Sequence, residues 1–320
     1  MTEPAAADLL VVGDANPDLV LRGDVVPRFG QAEQLLDAAD LVLGGSAAIT
    51  ACGTARLGVR TRLLAAVGAD LYGDFVREAL LTRGVDLTDV RTVREPTGLS
   101  VVLSGVDRAI LTLSGAIPAL RADDISLAGV RHLHVASLFL QPALAAGLAD
   151  VFGRARAAGI TTSLDTNWDP SGRWEGVLEL MPYTHVFLPN EAELVAITGT
   201  ADVDDAAKSL TAIGVTVVLK AGAAGGRAWW PGGTCATPSP SVDVVDTTGA
   251  GDSFNAGFLA GYLAGVPIEL CVAMATAAGS LSTRAAGGTA AQAGAADLAA
   301  ISLPVAFPDR ARREPVTPSR

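Results

Sequence analysis

The chain has 320 residues, half of them hydrophobic and 18% charged, and its 23 basic and 34 acidic side chains give a net charge of −11. A chain this long buries a large core without disulfide or metal staples, and its composition excludes an intrinsically disordered protein. The acidic balance argues against a nucleic-acid binder, which carries a basic face, but not against a small phosphorylated ligand, which a few backbone amides can hold.

Short apolar runs alternate with helical stretches along the chain. Leu9–Val12 and Arg62–Val67 read as buried strands, each followed by glycine. A helix is expected over Gly73–Arg83, with Phe75, Val76, Ala79 and Leu80 on one face. Further strands are expected at His132–Ala136, Thr161–Asp165, His185–Leu188 and Val215–Lys220. Helices are expected between them at Pro142–Ala158, Glu191–Ile197 and Asp204–Ile213. That alternation predicts an α/β fold, a mostly parallel sheet flanked by helices.

Two regions depart from the rhythm. Residues 19–42 are polar and strand-like, and residues 97–113 alternate like a hairpin around a turn at Gly105–Arg108. Together they predict a small β-stranded lid beside the main sheet. Residues 1–303 are expected to form one domain, and the Pro- and Arg-rich tail, 304–320, to be loose. Cys52, Cys235 and Cys271 are few, odd in number and far apart, so neither a disulfide framework nor a zinc site is expected. A reducing cytoplasm is the expected compartment. The N-terminus carries acid and proline where a secretory leader needs basic and apolar residues, and no membrane-spanning helix is expected.

The most informative string is Asp246-Thr247-Thr248-Gly249-Ala250-Gly251-Asp252-Ser253-Phe254-Asn255. A strand is expected to lead in at Val242–Val245. A helix is expected to lead out, with Phe254, Phe258, Leu259 and Tyr262 at helical spacing before Gly265 and Pro267. Gly249, Ala250 and Gly251 would then lie at a helix N-terminus, where free amides and the helix dipole make an anion site. Asp252 would stand beside that anion, placed to take the proton of an attacking hydroxyl.

This string resembles the C-terminal signature of the PfkB (ribokinase-like) carbohydrate kinases, and the resemblance runs from about Leu9 to Ala300. It implies a ribokinase-like fold and an ATP-dependent phosphorylation of a sugar hydroxyl. Asp252 would be the catalytic base, and Gly249, Ala250 and Gly251 the hole for the transferred phosphoryl group. Gly44-Gly45-Ser46-Ala47-Ala48-Ile49 matches the family's N-terminal signature, with Ile49 where a sugar-contacting Asn is usual. Gly13-Asp14-Ala15-Asn16-Pro17-Asp18 resembles the family's sugar loop. Asn16, Asp18, Gly44, Gly45 and Ser46 are thus the expected substrate contacts.

Asn190 and Glu193 fit the family's N-x-x-E motif, which organises Mg2+ through water. Lys220, Gly222 and Gly225 fit its nucleotide loop, and Thr248 of the C-terminal signature is a further expected nucleotide contact. Asp246 and the Arg284–Gly288 segment fit a monovalent-cation loop, which would take K+. Asp165-Thr166-Asn167 fits a D-x-N segment, but Asp169 stands where an Arg is common. The expected partners are a small sugar or nucleoside and a second copy of the chain through the lid, with no nucleic acid and no membrane.

Two other readings stay open on the residues. Ile49 would add apolar surface suited to a nucleoside acceptor. A catalytically silent sugar or nucleotide sensor is the reading from another class. G-x-G-x-x-G after the first strand and G-x-S-x-G are both absent, which counts against a Rossmann dehydrogenase and an α/β-hydrolase. His132 and His134 alternate on one strand without a third ligand in sight, which favours buried histidines over a metal pair.

Overall fold

The computed structural model describes residues 7–105 and 108–301. The expected tail, 304–320, and the middle of the expected turn at 105–108 lie outside the described residues.

The strands, in chain order, are β1 (Ala7–Val12), β2 (Asn16–Gly23), β3 (Leu36–Gly44), β4 (Thr61–Leu64), β5 (Ala66–Gly68), β6 (Arg91–Val93), β7 (Leu99–Ser104), β8 (Arg108–Leu113), β9 (Val130–Ala136), β10 (Thr161–Asp165), β11 (Val186–Phe187), β12 (Thr216–Lys220), β13 (Gly226–Trp230) and β14 (Gly233–Thr237). The helices are α1 (Ser46–Arg56), α2 (Leu71–Leu81), α3 (Pro142–Ala157), α4 (Glu191–Thr198), α5 (Val203–Thr211), α6 (Ala250–Ala264), α7 (Ile268–Ser282) and α8 (Ala295–Ala300).

Eight strands form the main sheet in the order β14-β13-β12-β11-β10-β9-β1-β4. It is parallel from β4 to β12 and antiparallel at β13 and β14. Its central strands are buried on both faces, as helix-covered parallel sheets require. One core, holding Leu9, Val11, Phe258 and Met274, lies under α1, α2, α6 and α7. The other, holding Leu10, Leu133, Leu148 and Leu210, lies under α3, α4 and α5.

A second sheet of four strands, β3-β2-β7-β8, stands beside the first. The predicted hairpin is there, with β7 and β8 antiparallel. Residues 19–42 supply β2 and β3, which pair so that Asn16 lies opposite Gly44.

Two expected strands are corrected. Residues 62–67 are split: β4 belongs to the main sheet, and β5 pairs with β6 in a separate two-stranded ribbon. Val242–Val245 is not a strand. The Val245 and Asp246 amides both donate to the Thr283 carbonyl (2.8 and 3.1 Å), so this segment is tied to the end of α7. Val244 and Val245 are largely exposed, and no strand among the described residues pairs along it.

Candidate active site

The parallel strands deliver their carboxyl ends to one edge of the main sheet, where ligands of open α/β sheets bind. Nearly all the predicted site residues gather there, on the first residues of β2, at the ends of β3 and β12, in the loop after β12 and at the starts of α1, α4 and α6.

On one side the loop after β1 turns into the four-stranded sheet. Asn16 Nδ2 donates to Asp18 Oδ1 at 3.0 Å and reaches Ser100 Oγ at 3.3 Å. A Cβ at Gly44 would fall 2.1 Å from the Asp18 carboxylate, so only glycine lets the two approach. Asn16 and Asp18 are buried. Asp14 joins this loop to α1, accepting from the Ala47 amide at 3.0 Å, and burial pushes its carboxyl upward. Ser100 was not among the expected contacts. It faces Asp18 across the β2–β7 register, a pairing that only the assembled sheet reveals.

In the middle, α6 begins at Gly249, whose φ of 68° and close neighbours suit glycine alone. A Cβ there would meet Gly288 Cα at 2.6 Å. Asp252 lies in the first turn and is buried. Ser46 Oγ donates a short hydrogen bond to its Oδ1. Burial, reinforced by the neighbouring Asp165 carboxylate, pushes Asp252 up to about 7, against the opposing pull of Ser46 and Lys220. The loop before Gly249 is braced by Asp246. One of its oxygens accepts from the Thr248 amide and hydroxyl (2.9 and 2.8 Å), and the other accepts from the Gly287 amide at 2.8 Å.

Ile49 stands behind this loop, 3% exposed. Its Cδ1 is where a Cβ on Gly288 would collide, at 2.5 Å, and it backs Gly249 as well. The apolar surface expected to face a substrate is thus occupied by these two glycines.

On the other side, a cavity of about 250 Å³ is lined by Lys220, Gly222, Gly225, Gly251 and Phe254. Lys220 Nζ pairs with Asp165 Oδ2 at 2.6 Å. Its own burial pulls Lys220 down, but the Asp165 and Glu193 carboxylates outweigh that and hold it above its ordinary value. Asn255, on the third residue after Asp252, donates to the same Asp165 oxygen at 2.5 Å. Asp165 and Asn255 complete this cluster. The D-x-N segment signalled Asp165, whereas Asn255 lay unweighted inside the strongest string.

Asn190 and Glu193 make a reciprocal cap on α4. Asn190 Oδ1 accepts from the Glu193 amide (2.9 Å), and the Glu193 oxygens accept from the Asn190 amide (2.9 Å) and Nδ2 (2.7 Å). Burial raises the Glu193 carboxyl, partly offset by Lys220. One buried carboxylate already accepting two bonds, with lone pairs to spare, suits a hard cation that keeps most of its waters. Among the described residues no group of three or more His, Cys, Asp or Glu side chains is arranged to hold a metal directly.

Asp169 does not replace the missing Arg. Both its oxygens cap its own loop, accepting from the Ser171 and Trp174 amides at 2.8 and 2.7 Å. A larger hollow of about 370 Å³, between that loop and the start of α3, contains none of the predicted site residues. No helix among the described residues is long and apolar enough to cross a membrane.

The sheet order and this carboxyl-edge cluster define an α/β fold of the doubly flanked kind, with a buried polar group set against the start of α6. The profile of the pfkB family carbohydrate kinases matches residues 6–293, and the chain belongs to that family. It is 32% identical over 285 residues to the ATP-dependent ribose-1-phosphate kinase of Halopiger xanaduensis, covering 85% of this chain and 90% of that one. It is 32% identical over 315 residues to the acarbose 7(IV)-phosphotransferase of an Actinoplanes species, covering 93% and 98%. Arabidopsis thaliana ribokinase, solved with ribose and ATP, superposes with a TM-score of 0.79 at 27% identity, covering 92% and 98%. The protein is a carbohydrate kinase of the ribokinase fold.

Proposed function

We propose that the chain transfers the γ-phosphoryl group of ATP to a hydroxyl of a sugar or sugar-like molecule, with Asp252 as general base. The observation that carries this reading is the position of Asp252. Ser46, two residues after Gly44, donates to it, Lys220 of the neighbouring cavity acts on it, and burial pushes it up to about 7. A base poised near neutrality can take a proton and release it.

Asn16, Asp18 and the backbone at Gly44, Gly45 and Ser46 hold the sugar so that one hydroxyl meets Asp252. The carboxylate takes that proton as the hydroxyl oxygen bonds to the γ-phosphorus. The bond from phosphorus to the bridging oxygen breaks, and ADP leaves with the electron pair. The amides of Gly249, Ala250 and Gly251 stabilise the charge on the transferred group. Lys220, Gly222, Gly225 and Thr248 position the nucleotide. Asn190 and Glu193 would hold Mg2+ through water, and the ion would neutralise phosphate charge. The Asp246 loop would hold a monovalent cation, K+, which would add positive charge beside the anion site.

Residues 1–303 act as one kinase domain, and the four-stranded sheet closes over the sugar to exclude water. Leu41, Ile110, Leu111 and Leu113 are exposed on its outer strands, apolar surface that a second copy would cover. The cytoplasm is the proposed compartment. A nucleoside acceptor is the alternative; Ile49, packed against Gly249 and Gly288, does not decide between the two. ADP release across a panel of sugars and nucleosides tests the proposal: stimulation by a sugar supports it. Nucleoside-only stimulation would make the chain a nucleoside kinase, and none at all would make it a sensor.

A further inference from the structure

Helix α1 has no cap of its own. Its N-cap is Gly45, with a φ of 87° and no side chain to offer. A Cβ there would fall 2.7 Å from the Asp14 carbonyl oxygen and 2.9 Å from Ala15 Cα, so none of the usual capping residues fits at that position. Ser46, Ala47 and Ala48 are nonetheless buried, and the first amides of a buried helix need acceptors.

Asp14, 33 residues before Ala47, supplies them. Its Oδ1 accepts from the Ala47 amide at 3.0 Å, and its backbone carbonyl accepts from the Ala48 amide at 3.2 Å. Burial raises the Asp14 carboxyl, and the Ala47 amide, the Ser137 hydroxyl and the Ser46 amide each oppose that rise. One residue thus holds the first turn of α1. The fit is tight on every side. A Cβ at Gly13 would fall 2.7 Å from Ala47 Cβ and 2.8 Å from the Ala136 carbonyl oxygen.

The same turn carries the Ser46 hydroxyl that donates to Asp252. The rest of α1 is held separately. Gln292 Nε2 donates to the Ile49 carbonyl at 2.9 Å and reaches Ser253 Oγ at 3.2 Å, bridging α1 and α6. Gly53 comes so close to α6 that a Cβ on it would fall 2.6 Å from Ala256 Cβ. Loss of the Asp14 carboxylate therefore loosens the first turn without freeing the helix.

We infer that Asp14 is a positioning residue for phosphoryl transfer: from the turn after β1 it caps α1 and so holds the Ser46 hydroxyl against Asp252. Its two influences on Asp252 have opposite signs. Burial and then the Asp165 carboxylate raise Asp252, the Ser46 bond and Lys220 lower it, and the Asp14 charge, a weaker influence than the Ser46 bond, raises it. Losing the cap should push Asp252 up, losing the charge should push it down, and the cap should win.

The test is the pH profile of kcat/KM for the full chain, with ATP and the sugar that most stimulates ADP release. Asp14→Ala drops both cap and charge, and its acidic midpoint should rise by about half a pH unit or more. Asp14→Asn keeps an oxygen for the Ala47 amide and drops only the charge, so its midpoint should lie at or below the wild-type value. In a Ser46→Ala background, Asp14→Ala should raise the midpoint no further. Asp14→Ser, one bond too short for the Ala47 amide, serves if the alanine chain does not fold. An alanine midpoint no higher than that of the wild type or of Asp14→Asn overturns the inference, as does a further rise in the Ser46→Ala background. The inference rests on Asp252 as the base, and an acidic limb that survives Asp252→Asn would remove that reading and the inference with it.

Discussion

Ser46 and Asp252 are 206 residues apart in the chain, yet the Ser46 hydroxyl donates directly to the Asp252 carboxylate. One opens α1 and the other sits in the first turn of α6, so the bond joins the family's two signature segments at one atom pair. It favours the ionised carboxylate, whereas burial and the Asp165 carboxylate favour the protonated one.

The pH profile follows. In the proposed role Asp252 acts as a base only when ionised, so kcat/KM should fall about tenfold per pH unit below a midpoint near 7. Ser46→Ala removes a bond to the ionised form, so the midpoint should move up, by about one pH unit. An unmoved or lowered midpoint in Ser46→Ala would show that another group sets the acidic limb.

Ile49→Asn should lower stability and leave substrate choice alone. The side chain fills the space between Gly249 and Gly288, and Asn there would bury a polar amide in an apolar slot. The expected cost is about 1–3 kcal/mol, read as a fall in Tm. The ranking of sugars by kcat/KM should not change. A reordered ranking would put Ile49 in the substrate pocket after all.

Much of this architecture was legible because function and punctuation coincide. The parallel strands announced themselves as apolar runs ending in Gly13, Asp165 and Lys220, and the Gly249–Asp252 string announced the start of α6. What was not legible had no contrast to read. Helices α1 and α7 are buried nearly all round and rich in Ala, Gly, Ser and Thr, so neither shows an apolar stripe. Val242–Val245 looks like a strand by its β-branched residues, but strand identity depends on a partner, and none among the described residues runs alongside. Likewise Ile49 is apolar in either setting. Only packing shows that it backs the anion loop rather than the sugar.

Glu193→Gln should raise the Mg2+ concentration giving half-maximal rate, by about tenfold. The variant also sets an NH2 group against one of the two Asn190 donors, so α4 should lose part of its cap, about 1 kcal/mol, seen as a small fall in Tm. The two effects are separable, because excess Mg2+ restores the rate but not the Tm. An unchanged Mg2+ requirement together with a raised sugar KM would move Glu193 out of the metal shell.

The role of Asp252 is tested most directly by single-turnover phosphoryl transfer in Asp252→Asn, with ATP-induced stabilisation measured on the same preparation. The isosteric amide keeps an acceptor for Ser46 but cannot take a proton. Asp252 is raised from its ordinary value of 3.8 to about 7, so its ionisation opposes folding as pH climbs through that range. The variant should therefore match or exceed the wild-type Tm at pH 8, with that advantage lost as pH falls toward 4. It should bind ATP normally and transfer phosphate about 10²–10⁴-fold more slowly. Transfer within threefold of wild type by a folded, ATP-binding Asp252→Asn enzyme would contradict the assignment of Asp252 as the base.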